Sequence, residues 1–219
     1  MRVRIKRYPG GPEDFHLSLP RPVTLLELLH FIKEEIDPTL TFRSMCRAGV
    51  CGTCGVKLNG KPVLACSTWV HPQEELVLEP LEGFTPLRDL VVDQEGVHRR
   101  MRRAGLWLSQ RESLPQDQKG ERGWGCILCG LCEAVCPVMG STSLFGGPLL
   151  LTRGHRLLQG SSQNLQKIQA LRPDLCTHCM NCSYACPKRL MPEALIREEE
   201  RHLMESGLLQ GGGFDFLSF

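Results

Sequence analysis

The amino-acid sequence predicts an α+β fold in two parts, a strand-rich N-terminal domain followed by a mainly α-helical C-terminal domain. Apolar and charged residues alternate over Arg2–Tyr8 and over Phe15–Leu19, a period typical of half-buried strands. Thr24 precedes a run with helical apolar spacing, and cysteines recur at fixed spacing through the second half. Prolines and glycines cluster between the two parts, so we expect domains at 1–93 and 94–219.

The first helix is predicted from its cap, its periodicity and its end. Thr24 can accept a hydrogen bond from the first turn, and Asp37–Pro38 cannot continue a helix. Two strands followed by a crossing helix resemble the opening of a β-grasp ferredoxin. The apolar face of the helix is predicted to comprise Leu25, Leu28, Leu29, Ile32 and Ile36.

Composition and charge limit the class of protein. The formal net charge of +2 gives no polyelectrolyte signal for nucleic acid binding. Residues 1–10 lack the apolar core of a signal peptide, and the longest uncharged run, 134–152, contains prolines and should not span a membrane. We therefore expect a soluble or peripheral protein. All twelve cysteines fall into motifs, which leaves none for a disulfide and indicates a reducing compartment.

The first cysteine motif has the spacing C-x4-C-x2-C followed by a distant fourth cysteine, which is the plant-type 2Fe–2S pattern. Its glycines should let the loop bring backbone N–H groups close to sulfur. A hairpin turning at Asn59-Gly60 should return the fourth cysteine to the loop, and Leu76–Leu78 should add a closing strand. The predicted 2Fe–2S ligands are Cys46, Cys51, Cys54 and Cys66.

The second cysteine motif, C-x2-C-x2-C-x3-C-P, occurs twice. Three thiolates at this spacing can converge on three corners of a cubane cluster, and in two-cluster ferredoxins the fourth cysteine ligates the other cluster. The proline turns the chain out of the site. The first 4Fe–4S cluster is predicted to bind Cys126, Cys129, Cys132 and Cys186. The third cluster is predicted to bind Cys136, Cys176, Cys179 and Cys182.

Zinc sites, disulfides and an incidental glycine-rich turn are the alternatives for these cysteines. Zinc is usually held by CxxC pairs separated by a longer loop rather than by four cysteines in one run. Disulfides are typical of small secreted domains, and the sequence shows no secretion signal. The spacing therefore favours iron–sulfur clusters over each alternative.

The remaining segments are predicted from local composition. The basic run His98–Arg103 is expected to be a solvated face rather than a docking patch. Residues 111–122 should form a loop or a short helix, Pro192–Ser206 a helix that ends before Gly207, and 211–219 a frayed tail. Helical packing around the clusters is expected from Pro148–Leu171, with apolar contributions from Leu157, Leu158, Leu165, Ile168 and Leu171.

The order of the motifs, a plant-type 2Fe–2S domain followed by a bacterial-type two-cluster domain, resembles the iron–sulfur subunit of the succinate dehydrogenase and fumarate reductase family. The loop Phe42–Cys54 and the return hairpin Asn59–Cys66 look like the family's first-cluster site. Leu87–Asp93 is similar to its connector, and Cys126–Cys129 and Cys186–Lys188 fit its second domain. The resemblance covers most of the chain.

The resemblance implies the electron-transfer subunit of a succinate:quinone oxidoreductase, with no substrate chemistry on this chain. A partner flavoprotein with FAD would pass electrons to the 2Fe–2S cluster, then to the first 4Fe–4S and the third cluster, and on to quinone at a membrane anchor. The chain would lie at the cytoplasmic face of the inner or plasma membrane, held peripherally by its partners. No G-x-G-x-x-G motif follows a strand, so flavin chemistry is expected on another subunit.

Two departures from the family pattern concern the third cluster. Common members replace the second cysteine of the second run and carry a 3Fe–4S cluster, whereas this chain keeps Cys179, which favours 4Fe–4S. Common members also carry a Trp after the first Cys-Pro, which Val138–Ser141 lacks, and a His where Thr177 stands here. His178, one residue further on, is a candidate for a hydrogen bond to a cluster sulfur or for a place near quinone. A surface or supporting position is the simpler interpretation of His178.

The retained Cys179 resembles an unconventional branch, whose membrane partner is a cysteine-rich subunit related to heterodisulfide reductases. The alternative function is therefore the iron–sulfur subunit of a thiol- or heterodisulfide-linked fumarate reductase. An iron–sulfur sensor is disfavoured, because no helix-turn-helix signature accompanies the three predicted clusters.

Overall fold

The computed structural model describes residues 1–107, 123–158 and 162–209. The predictions for 111–122 and 211–219 lie outside these ranges. The strands are β1 (Arg2–Lys6), β2 (Pro12–His16), β3 (Val23–Thr24), β4 (Gly55–Leu58), β5 (Lys61–Leu64), β6 (Trp69–Val70), β7 (Glu75–Glu79), β8 (Pro86–Arg88) and β9 (Val91–Val92). The helices are α1 (Leu25–Glu35), α2 (Glu95–Arg103), α3 (Leu131–Ala134), α4 (Pro148–Gly154), α5 (Ser162–Gln169), α6 (Asn181–Ala185) and α7 (Pro192–Glu205).

A five-stranded mixed sheet in the order β2-β1-β7-β4-β5 forms the N-terminal part of the molecule. β1 pairs antiparallel with β2 and parallel with β7, while β4 pairs antiparallel with both β5 and β7. Two short pairs, β3 with β6 and β8 with β9, add edges around it. Helices follow the sheet along the chain, so the predicted α+β class is confirmed.

The helix α1 begins as predicted but ends one residue early. Thr24 is its cap: the Thr24 hydroxyl accepts from the Glu27 N–H, and the Glu27 carboxylate accepts from the Thr24 N–H. The predicted apolar residues of α1 are buried, except Ile36, which is 46% exposed. Ile36 follows the last helical residue with a non-helical backbone, so its placement on the apolar face was wrong.

The second strand lies earlier than the alternation of Phe15–Leu19 predicted. β2 spans Pro12–His16, because β1 starts at Arg2 and pairs Arg2 with His16. Leu17 still exchanges two backbone hydrogen bonds with Met1, and no residue of β1 remains opposite 17–19. The hairpin at Asn59-Gly60 is confirmed, since β4 and β5 flank it directly.

The helical predictions for the C-terminal part are confirmed. α7 ends at Glu205 before Gly207, and α4 and α5 lie within Pro148–Leu171. Within the described ranges, no helix is long and apolar enough to cross a membrane. Of the apolar residues predicted for this stretch, Leu157, Ile168 and Leu171 are buried, and Leu158 and Leu165 pack against them partly exposed.

Two hydrophobic cores organise the described residues. The first draws on the sheet and α1 as far as Leu90, and the second begins at Val97 on α2 and continues to Leu203 on α7. The change between Leu90 and Val97 agrees with a boundary near residue 93, which stays a prediction. Cys129 and Leu131 belong to the first core although they lie far along the chain. The first 4Fe–4S motif is therefore packed against the N-terminal domain.

Arg7 links three segments of the N-terminal domain. Its guanidinium donates two hydrogen bonds to Asp89, at 3.0 and 3.1 Å, and also binds Asp37 after α1 and Glu13 on β2. The side chain of Asp89 is only 4% exposed, and it also accepts from the Thr41 N–H at 2.8 Å. Arg7 therefore joins the sheet to the end of α1 and to the segment between β8 and β9.

Replacing Arg7 with Met should destabilise the fold substantially. The change leaves the buried Asp89 carboxylate without its cation, which typically costs about 3 kcal/mol. The midpoint temperature of thermal unfolding of the purified protein should therefore fall by roughly 6–12 °C. Arg2→Met is the matched control, because its ion pair with Asp14 lies at the surface and should leave the midpoint unchanged. Equal midpoints for the two variants would contradict this role of Arg7.

Candidate iron–sulfur centres

The four cysteines of the first motif are gathered at one loop. Residues 46–54 lie between α1 and β4, and the hairpin β4–β5 brings Cys66 back beside them. The Ala65 N–H donates to the Cys54 carbonyl oxygen at 3.0 Å. Cys51 lies near enough to Cys46 to help lower the pKa of Cys46, and Cys66 lies near enough to Cys54 to help raise the pKa of Cys54.

Backbone N–H groups of this loop point at sulfur. The Ala48 N–H donates to Cys46 Sγ at 3.4 Å, and the Gly49 N–H donates to Cys66 Sγ at 3.2 Å. Gly49 has a φ of 67°, a conformation that glycine adopts without strain. The Ala48 N–H is the largest cause that lowers the pKa of Cys46 to about 6. The backbone N–H groups therefore stabilise negative charge on the sulfur of Cys46, whereas burial raises the pKa of Cys54 in the same loop to about 11.

The second group of cysteines combines both repeated motifs. A small cavity is lined by Cys126, Cys129 and Cys132 from the first run and by Cys186 from the second. The Leu190 N–H donates to Cys186 Sγ at 3.4 Å. The structure thus brings together the four side chains that were predicted to hold the first 4Fe–4S cluster.

The third group is the complementary set. A small cavity is lined by Cys176, Cys179 and Cys182 of the second run and by Cys136 of the first. Cys179 is exposed, whereas Cys182 is buried at the start of α6. The His178 N–H donates to Cys176 Sγ at 3.4 Å.

The two repeated motifs share a backbone conformation. The second residue after the first cysteine is left-handed in both, at Leu128 with φ 56° and at His178 with φ 50°. The residue after the second cysteine is also left-handed, at Gly130 and at Met180. Each left-handed residue turns the chain so that the cysteines of its own motif face inward. The short helices α3 and α6 start directly after Gly130 and Met180.

Burial is the main influence on the pKa of most thiols in the second and third cysteine groups. It raises the pKa of Cys129 and Cys176 to about 11 and that of Cys182 to about 12, and it raises the pKa of Cys132 well above its usual range. A thiolate buried in this way requires a cation close to sulfur. An iron–sulfur cluster supplies iron cations to several thiolates at once, so these four-cysteine groups fit it.

His178 is held between two carboxylates of α7. Its Nδ1 lies 3.1 Å from Glu193 Oε1, and its Nε2 lies 3.2 Å from Glu200 Oε2. Glu193 also accepts from Arg197 and lines the cavity of the third group. Both ring nitrogens of His178 therefore face protein carboxylates, beside the cysteines and not in the ligand set.

A buried ion pair lies between the second and third groups. Glu133 stands on α3 between Cys132 and Cys136, and its side chain is 5% exposed. It pairs with Arg100 of α2, which also donates to the Gly146 carbonyl oxygen at 3.3 Å. Burial raises the pKa of Glu133, and the charge of Arg100 opposes that rise.

The prediction of a solvated basic face was right for four residues of the run and wrong for Arg100. Arg99 and Arg102 form surface pairs with Asp93 and Glu95, and His98 and Arg103 are exposed as well. Arg100 is half-buried because it faces α3. A lone glutamate inside a cysteine run was the only sequence signal for this pair, and nothing in the sequence indicated that Glu193 and Glu200 would meet His178.

Arg100→Met should lower the thermal midpoint more than Arg99→Met, although both remove an arginine from the same helix. The first change isolates a buried carboxylate and the second breaks an exposed pair. We expect a fall of roughly 4–8 °C for Arg100→Met. Scanning calorimetry of the two variants at the same scan rate and cluster content would compare their midpoints. Equal midpoints would show that Arg100 does not stabilise α3.

Comparisons with known proteins define the class first. Residues 3–99 match the model of a 2Fe–2S iron–sulfur cluster binding domain, and residues 124–190 match that of a 4Fe–4S dicluster domain. In a solved structure titled Mycobacterium smegmatis Sdh1 complex in the apo form, one chain shares the fold with a TM-score of 0.79 at 24% identity. That likeness covers 94% of this chain and 96% of the other.

The relatives then define the family. The fumarate reductase iron–sulfur subunit of Haemophilus influenzae is 31% identical over 90% of this chain and 91% of its own length. An uncharacterized iron–sulfur protein of Methanocaldococcus jannaschii is 30% identical, and this chain spans 41% of its length. The chain belongs to the family of iron–sulfur subunits of fumarate reductase and succinate dehydrogenase, which confirms the resemblance seen in its sequence.

Proposed function

We propose that this chain relays single electrons from an FAD-containing flavoprotein partner, through one 2Fe–2S and two cubane clusters, towards quinone at a membrane anchor. The observation that carries the proposal is the gathering of all twelve cysteines into three groups of four. The second and third groups are adjacent along the chain, since α3 carries Cys132 of the second group and leads directly to Cys136 of the third.

The ligand assignment follows the three groups. Cys46, Cys51, Cys54 and Cys66 hold the 2Fe–2S cluster in a domain of residues 1–93. The domain 94–219 holds the other two clusters, which exchange their fourth cysteines. The exchange is supported by the cavities, because Cys186 lies with the first run and Cys136 lies with the second. When bound, the clusters supply one-electron carriers, and the chain's own residues fix their separation and their surroundings.

The third cluster is assigned as 4Fe–4S. Cys179 lines the same cavity as the three other cysteines of its group, so four thiolates are available there. His178 takes a supporting role, because its ring is occupied by Glu193 and Glu200 while its N–H donates to Cys176. These contacts favour a role at the cluster sulfur over a place near quinone.

A second function is favoured by Cys179. A subunit of a thiol- or heterodisulfide-linked fumarate reductase would pass electrons to a cysteine-rich anchor instead of quinone. The third group lies close to the surface, where Cys179 and Tyr184 are exposed, so either partner could approach it. In both functions the chain is placed at the cytoplasmic face of the membrane by its partners.

Low-temperature EPR with iron quantitation of the anaerobically purified protein tests the proposal. About ten irons per chain, with reduced-state signals from one 2Fe–2S and two 4Fe–4S centres, would support it. About nine irons with a strong 3Fe–4S signal, after oxidative iron loss is excluded, would move Cys179 out of the ligand set. Purification with the native anchor would separate the two functions, since the anchor either reduces quinone or carries the cysteine-rich sequence.

A further inference from the structure

The backbone of the 2Fe–2S loop touches the backbone of the first 4Fe–4S motif at Gly52. A β-carbon built on Gly52 would lie 2.6 Å from the Ile127 carbonyl oxygen and 3.0 Å from Cys129 Cα and Cβ. Gly52 is buried and has a φ of 73°. The absence of a side chain at this position therefore lets two cysteine loops from different parts of the chain meet at backbone distance.

The neighbouring contacts hold the same two loops together. A β-carbon on Gly55 would lie 3.2 Å from Leu131 Cδ1 and 3.5 Å from the Cys129 carbonyl oxygen. Leu131 is 1% exposed and belongs to the hydrophobic core of the N-terminal domain. Apolar packing thus fixes the position of the first 4Fe–4S motif against the loop, and Gly52 sets how closely the motif can approach.

A second glycine of the same loop has a different environment. A β-carbon on Gly49 would meet the Ser67 hydroxyl at 2.7 Å, which is a side chain of its own domain. Two of the three atoms facing Gly52, the Ile127 carbonyl oxygen and Cys129 Cα, are backbone atoms of another motif and cannot rotate away. The 2.6 Å approach to Ile127 is well short of the 3.4 Å at which ordinary van der Waals contact begins.

We infer that Gly52 is a positioning residue that sets the separation of the 2Fe–2S and first 4Fe–4S centres. Gly52 is bonded directly to Cys51, and it contacts Cys129, so the path from one cysteine group to the next crosses a single non-bonded contact. Tunnelling rates fall exponentially with separation, so a side chain at this contact slows the transfer between the groups. The inference rests on the proposed function.

Gly52→Ala, compared with Gly60→Ala, tests this role in the full-length protein with its clusters. Gly60 has a φ of 79° and nothing within 4 Å of its built β-carbon, so its substitution imposes the same left-handed strain without the contact. Flash photoreduction would follow electron equilibration between the 2Fe–2S and first 4Fe–4S centres. We expect a several-fold slower rate and a weaker spin–spin interaction for Gly52→Ala, and wild-type values for Gly60→Ala.

Iron content and the separate EPR signals distinguish failure of this inference from failure of the proposed function. Wild-type clusters with an unchanged transfer rate in Gly52→Ala would overturn the inference and leave the relay intact. If Gly52→Ala does not assemble its clusters, the wild-type protein provides the second measurement. Relaxation of the reduced 2Fe–2S signal should accelerate when the first 4Fe–4S cluster is also reduced, and independent relaxation would overturn the close contact.

Discussion

Cys179→Ile is expected to convert the third centre from 4Fe–4S to 3Fe–4S and to remove about one iron per chain. Cys179 lines the third cavity with three other cysteines, and isoleucine cannot ligate the iron at that corner. The oxidised variant should show a new 3Fe–4S EPR signal, while the signals of the other two centres persist. The potential of the third centre should rise, because a 4Fe–4S cluster at such a site often has the lower potential.

Thr177→Ile is the matched control for this change. Thr177 lines the same cavity, so the variant adds the same side chain and keeps all four cysteines. It should retain the iron content and the spectra of the wild type. A Cys179→Ile protein that is indistinguishable from this control would show that Cys179 is not a ligand.

Cys186→Ala should abolish the first 4Fe–4S cluster, although Cys186 belongs to the second cysteine run. It lines the cavity of Cys126, Cys129 and Cys132, and the Leu190 N–H donates to its sulfur. We expect the reduced 4Fe–4S signal of this centre to disappear with a loss of about one to four irons per chain, because three remaining cysteines can also hold a 3Fe–4S cluster. In the Cys179→Ile background the first centre is the one remaining 4Fe–4S cluster, so the change should remove the reduced 4Fe–4S signal and keep a 3Fe–4S signal.

The reciprocal variant completes the test. Cys136→Ala in the same background should remove the 3Fe–4S signal and spare the first 4Fe–4S cluster, because Cys136 lines the third cavity. The exchange of fourth cysteines is refuted if each variant instead loses the cluster of its own run. A Cys136→Ala variant that loses both clusters can be scored by reconstitution with iron and sulfide under anaerobic conditions, where only the first 4Fe–4S cluster, which keeps its four cysteines, should reform.

The three-cysteine runs could be predicted because their spacing is written locally in the sequence, whereas the exchange of fourth cysteines was expected from the pattern of two-cluster ferredoxins. Each run of three places its sulfurs through one turn, and the proline after the fourth cysteine marks where the chain leaves. The sequence pattern also identified α1 through the Thr24 cap and the hairpin through Asn59-Gly60. These features depend on residues only a few positions apart.

The features that were missed depend on distant partners. Ile36 fits the helical period, but the chain leaves the helix before it, and β2 is limited by where β1 begins. The pairing of Arg100 with Glu133, and the contact of Gly52 with Cys129, join residues more than thirty positions apart. Local periodicity carries no information about such contacts. The sequence therefore did not indicate that Arg100 would pair with Glu133 or that Gly52 would contact Cys129.

The pairing of β1 with β7 and the exchange of fourth cysteines determine the order in which the clusters can be inserted during synthesis. Because Arg2 pairs with Glu75, the sheet cannot close during synthesis until β7 has left the ribosome, and all four cysteines of the first motif lie between these strands. The other two groups stay incomplete until Cys182 and Cys186 emerge. A nascent chain stalled after β7 could therefore accept its 2Fe–2S cluster, whereas the two cubane clusters can be completed only after Cys182 and Cys186 have emerged.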